Sequence, residues 1–304
     1  MQPTKPSIKW LIVIFGLLTI FVSVYVFVFL DKKPESAPVD VVTGVQAPEP
    51  KYQIVGKSVQ GRKIEGYTFG ATPTSTSPTH LLFVGGIHGG YEWNSVLLAY
   101  ELIDYLEANP IELPDNLIVT IIPVLNPDGV FSVTGKEGRF ISADASKDQK
   151  ILAGGRFNAN NVDLNRNFDC NWQPTSSWRS KTVSAGSAVF SEPEALGLKN
   201  FVDSNTPTAV IFWHSQSNAV YASKCNGDTL PQTLDIMNAY AKAAGYSAIE
   251  SFDAYPITGD AEGWLASIGI PAITVEMKTH EDVEWKRNLA GVKSLFDYYS
   301  SSTL

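Results

Sequence analysis

Cysteine and histidine are scarce here, at two and four residues in a chain of 304. So few cysteines exclude a disulfide-dense scaffold and a four-cysteine zinc module. Positive charge is also in deficit, with Lys+Arg 23 against Asp+Glu 31 and a formal net charge of -8. Residues 1–50 balance four bases against four acids, so the remainder carries the whole deficit. An acidic body repels nucleic-acid phosphates, and no nucleic-acid partner is expected. No internal repeat is visible, and 44% hydrophobic residues with 18% charged ones exclude a disordered chain.

One long apolar run stands out. From Trp10 to Leu30 there are 21 residues without a charge. As a helix this run spans roughly 30 Å, the hydrocarbon thickness of a bilayer. A cleaved signal peptide has a shorter apolar core, about 7–15 residues, and ends in a small-residue site. Here Asp31-Lys32-Lys33 follows directly, which favours an uncleaved single-pass anchor. Residues 1–9 then form a short head. With so short a head and so large a body behind the span, the C-terminal body is expected on the exported side, periplasmic or extracellular. Residues 31–50, with four prolines and no apolar period, read as an extended tether.

From residue 51 to 304 short apolar runs alternate with helical ones. Leu81–Val84, Leu117–Val124, Ala209–Trp213 and Ala272–Val275 read as buried strands. Glu92–Glu107, Glu192–Val202, Leu234–Ala244 and Val283–Tyr298 read as helices. The alternation predicts a single α/β domain with a mixed, mostly parallel central sheet flanked by helices. In such sheets sites form beyond the C-terminal ends of strands. His88 and Glu92, His214, and Glu276 all follow predicted strands.

A catalytic zinc takes three protein ligands from His and carboxylate side chains and keeps a position for water. His88 and Glu92 come from one glycine-lined strand-to-helix turn, and His214 supplies a distant third ligand from another strand end. A lone histidine is more commonly a structural hydrogen-bonding group. His80, ahead of its strand, and His280, in a polar stretch, are read that way.

The segments GGIHGGYEWN, NPDG, VDLNRNF, WHSQS, YPITGDAEGW and TVEM follow one another in this order. Together they resemble the zinc metallocarboxypeptidases of the carboxypeptidase A type over roughly residues 52–300. The resemblance implies a zinc peptidase with one Zn²⁺ per chain, held by His88, Glu92 and His214. It implies that Asp163 orients the first ligand histidine and that Glu276 is the general base. Arg156 would polarise the scissile carbonyl, Asn165 and Arg166 would grip the terminal carboxylate, and Tyr255 would cap the substrate. The position lining the specificity pocket falls on Glu262, which would favour a basic side chain or an amino group such as that of diaminopimelate. The substrate implied is a peptide or muropeptide with a free C-terminus. A murein peptide amidase on the same scaffold and a non-catalytic tethered peptide-binding module are the alternatives.

The chain departs from that pattern in two places. The family spaces its first His and Glu as H-x-x-E, whereas three residues separate His88 from Glu92. Gly89-Gly90 can absorb the extra one in a flexible turn. The usual glycine before VDLN is Asn161, which can also visit positive φ. An exported domain permits a disulfide, and two cysteines allow one pairing, Cys170 with Cys225.

Overall fold

A computed structural model describes residues 50–70 and 79–301. The predicted anchor at 10–30, the head and most of the tether lie outside the described residues. Among the described residues no helix is long and apolar enough to cross a membrane.

The strands are β1 (Lys51–Lys57), β2 (Lys63–Phe69), β3 (Thr79–Val84), β4 (Leu117–Ile122), β5 (Thr175–Trp178), β6 (Lys181–Ser184), β7 (Ala209–Ser215), β8 (Ala219–Ala222), β9 (Ser247–Ile249) and β10 (Ala272–Met277). The helices are α1 (Trp93–Ala108), α2 (Pro127–Thr134), α3 (Gln149–Gly154), α4 (Pro193–Asn205), α5 (Pro231–Ala244), α6 (Ala261–Ser267) and α7 (Trp285–Ser301). Eight strands form one sheet in the order β1-β2-β4-β3-β7-β10-β8-β9, and β5 with β6 makes a separate hairpin. The central pairs β4/β3, β3/β7 and β7/β10 are parallel; β1/β2, β2/β4 and β10/β8 are antiparallel. The sheet is therefore mixed with a parallel centre, as expected.

Strand geometry sends successive side chains to opposite faces, and the central strands are apolar on both. Leu81 and Phe83 of β3 join a core with α1, α5 and α7, while Leu82 and Val84 join a second core with α4 and α6. In β7, Ile211 and Trp213 serve the first core and Val210 and Phe212 the second. Trp213 stacks on Phe83 at 5.2 Å between centroids, and its Nε1 donates to the Tyr240 hydroxyl at 3.2 Å. Each such fully buried large side chain is worth about 1.5–3 kcal/mol. The two cores hold the strand ends rigidly, and the site is built there.

The predicted ligand-bearing strands differ from the observed ones mainly in length. β7 and β10 run on through Ser215 and Met277. His214 and Glu276 are thus strand residues rather than loop residues. His80 lies inside β3 rather than ahead of it, with Nε2 2.8 Å from Thr120 Oγ1.

Candidate active site

The parallel register of β7 and β10 sets His214 opposite Glu276. Residues paired in this way share a face of the sheet, so both side chains leave the same strand ends together. His88 arrives from the end of β3. There the Ser95 hydroxyl accepts from the Gly86 amide at 3.1 Å and donates to the Glu92 carbonyl at 2.7 Å, tying the turn to the start of α1. Gly89 takes φ +49°, a left-handed conformation costly for side chains. That conformation opens a single 3₁₀ turn, Gly89–Glu92, which absorbs the extra residue and brings Glu92 back beside His88. Asn161 has φ 58°, filling the role of the absent glycine.

The three expected ligands meet. His88 Nδ1 lies 2.8 Å from Glu92 Oε1, His214 Nδ1 3.0 Å from Glu92 Oε2, and the two Nδ1 atoms 3.1 Å apart. All three side chains are buried, and one ligand atom from each falls within 4.8 Å of the others. Ligand atoms around a tetrahedral zinc at about 2.1 Å stand roughly 3.4 Å apart. The cluster fits such an ion in donor chemistry and in span, and it can hold one. His80 and His280 stay outside it; His280 Nδ1 sits 2.6 Å from Ser215 Oγ.

Around this centre the charges are tightly coupled. Burial alone would raise Glu92, but the two histidines outweigh it and hold the carboxyl well below the usual range. Burial would lower His214; Glu92 and Glu262 outweigh it and lift the imidazole to about 10. Glu276 goes the other way, pushed up to about 8 by burial and by the charge of Glu92. Its Oε2 is buried with no hydrogen-bond partner. A divalent cation at the cluster would reverse that push and favour the carboxylate.

Asp163 stands behind His88. Its Oδ1 is 3.5 Å from His88 Nε2, an ion-pair distance without hydrogen-bond geometry, while Oδ2 accepts from Arg156 Nε at 2.8 Å. Burial would raise Asp163, but Arg156 and Arg166 outweigh it and hold it far below its ordinary value. Arg156 is thereby fixed with Nη1 3.7 Å from Glu92 Oε1 and its guanidinium 4.8 Å from the Trp178 ring centroid. The NPDG motif contributes here: Asn126 Oδ1 caps α2 through the Gly129 amide at 2.9 Å, and its Nδ2 donates to the Arg156 carbonyl at 3.3 Å.

His88, Glu92, Arg156, His214 and Glu276 line a cavity of about 720 Å³ together with Asn165, Arg166, Tyr255 and Glu262. Arg166 Nε and Nη2 donate to the Ser177 carbonyl at 3.2 and 3.0 Å, and Nη1 to the Asn165 carbonyl at 2.5 Å. A guanidinium has five N–H groups, so two remain for a ligand. Asn165 Oδ1 accepts from the Ala261 amide at 2.8 Å. Tyr255 packs edge-on to Phe252 at 4.9 Å. Cys170 and Cys225 are joined in a disulfide and also line the cavity. Glu262 is neither solvated nor free: it is buried against His214. Trp178 and Arg179, from the β5–β6 hairpin, and Tyr91 complete the wall. Trp178 and Arg179 carry no signal in the sequence, because no motif or period marks that hairpin; Tyr91 lies within the GGIHGGYEWN segment.

Residues 46–288 match the sequence model of the zinc carboxypeptidases. The chain belongs to the zinc carboxypeptidase family. Among curated proteins it is 24% identical over 172 residues to gamma-D-glutamyl-L-diamino acid endopeptidase 1 of Lysinibacillus sphaericus, covering 52% of this chain and 42% of that protein. It is 28% identical over 177 residues to carboxypeptidase M of Mus musculus, covering 56% of this chain and 34% of that one. The chain thus spans less than half the length of these two relatives. Among solved structures, murein-tripeptide amidase MpaA from Escherichia coli O157 superposes with a TM-score of 0.58 at 22% identity, over 81% of this chain and 92% of that one. At that identity the superposition establishes the shared fold.

Proposed function

We propose that this chain is a zinc-dependent metallocarboxypeptidase that hydrolyses the C-terminal bond of a peptide. The convergence of His88, Glu92 and His214 on one buried point, at the floor of a cavity that also holds Glu276, Arg156 and Arg166, carries this reading. The chain's own residues divide the work. The two free N–H groups of Arg166 suit the paired oxygens of a terminal carboxylate, and Asn165 beside it adds an amide. Arg156, locked by Asp163, offers fixed positive charge to a carbonyl oxygen gaining negative charge. Glu276, whose Oε2 has no other partner, takes a proton from the attacking water and delivers it to the departing amine. Tyr255 and Phe252 cover the terminal side chain. A bound zinc would supply Lewis acidity and a water acidified to near neutrality.

A second reading, cleavage of a murein peptide ending in a diamino acid, is favoured by the acidic cavity lining of Glu250 and Asp253 and by the names of two relatives. The charge-free run at 10–30 supports a single-pass tether with the body exported, and the disulfide suits an oxidising compartment.

The test is release of a C-terminal amino acid from peptides with neutral, basic and diaminopimelate ends. Release should be abolished by chelator and restored by zinc. Glu276→Gln should keep full zinc content and lose roughly 10²–10⁴ in kcat. Inactivity of the zinc-loaded chain on every such peptide, with peptide binding intact, would favour a binding module instead.

A further inference from the structure

The cluster leaves one strong contact unassigned. His214 turns Nδ1 toward Glu92 and His88, while Nε2, across the ring, lies 3.1 Å from Glu262 Oε1. The exposures of His214 and Glu262 are 2% and 3%, so water does not compete for either group. The same Glu262 oxygen accepts from Thr274 Oγ1 at 3.1 Å. Asp260 caps α6 through the Gly263 amide at 2.7 Å, and Asn165 holds the Ala261 amide, so the turn that carries Glu262 is fixed at both ends. A buried carboxylate held in this way has little freedom to turn toward a changing substrate.

We infer that Glu262 is a positioning residue for the second ligand histidine. By accepting the Nε2–H it fixes the tautomer that leaves the Nδ1 lone pair for a cation, and it strengthens that nitrogen as a donor. Its contact with His214, at 3.1 Å, is closer than the 3.5 Å between Asp163 and His88 Nε2. The inference rests on the metallopeptidase reading above. It also revises the expectation that Glu262 selects a basic side chain, since its Oε1 is engaged by an imidazole and a hydroxyl. Glu250 and Asp253, exposed on the cavity rim, are left to attract an amino group.

The test uses the full chain, stripped and reloaded, in three forms: unaltered, Glu262→Ala and Glu262→Gln. Zinc affinity is measured by chelator competition, and kcat/KM is compared for peptides with basic and neutral ends. Glu262→Ala should weaken zinc binding by roughly 10–100-fold. Glu262→Gln, similar in size and still presenting an oxygen to the Nε2–H, should fold even if the alanine variant does not, and should lose less affinity. The basic-to-neutral ratio should hold in both. Unchanged zinc affinity in either foldable variant, with a fall in that ratio, would overturn the inference and return Glu262 to substrate selection. Equal losses for Gln and Ala would overturn the hydrogen-bond argument. Failure of the unaltered chain to bind zinc at all would instead overturn the metallopeptidase reading itself.

Discussion

At the scale of single residues, the ligand set carries its own proton account. His214 is held at about 10 in the metal-free chain, well above its ordinary 6.5. A raised pKa means that its proton stabilises the metal-free fold. That contribution is complete below about pH 6.5 and fades as pH climbs toward about 10. At pH 7 the ring is protonated, so a cation must displace that proton to bind. Calorimetry of zinc uptake in two buffers of different ionisation enthalpy should therefore show proton release at pH 7, with apparent affinity rising between pH 5 and pH 8. A buffer-independent heat would contradict the account. The candidate ligands His88, Glu92 and His214 were legible in the sequence because strand ends and a glycine-rich turn mark them. The bond from Glu262 to His214 was not, because it depends on the register of α6 against β7, which no local spacing encodes.

At the scale of elements, the apolar central strands announce themselves by being buried on both faces. The strands at and next to the edges do not. β1 is half-exposed and its register shifts between Ile54 and Gly56, so its alternation is broken. β8 and β9 are too short for any period to show. The NPDG turn was legible as a motif, but its purpose lies in tertiary packing. A Cβ on Gly129 would stand 2.4 Å from the Gly155 carbonyl oxygen and 2.6 Å from Asn126 Nδ2. Gly129→Ala should thus push α2 away from the segment after α3 that carries Arg156. We expect about 1–3 kcal/mol of lost stability by denaturant titration, as for other overpacked sites. kcat/KM should fall further than stability alone explains, because Asn126 no longer holds the Arg156 carbonyl. An alanine variant as stable and as active as the unaltered chain would refute the packing argument.

At the scale of the whole molecule, the disulfide joins residues 55 apart and both its cysteines border the cavity. Closing a loop of that length stabilises a fold by up to about 4 kcal/mol through the unfolded chain. The double variant Cys170→Ser/Cys225→Ser should unfold at lower denaturant and show a raised KM, whereas reductant should leave its midpoint unmoved. An unshifted midpoint would place the bond outside the stabilising framework. The β5–β6 hairpin adds one more constraint. The Ser177 carbonyl that anchors Arg166 belongs to the same short ribbon whose tip places Trp178 and Arg179 in the cavity wall. Under the proposed carboxypeptidase reading, recognition of the chain terminus and selection along the cleft would therefore share one scaffold. A redesign that grafts a new ribbon here to change preference must reproduce that single carbonyl, or it will lose its hold on the substrate's end before it gains any new selectivity.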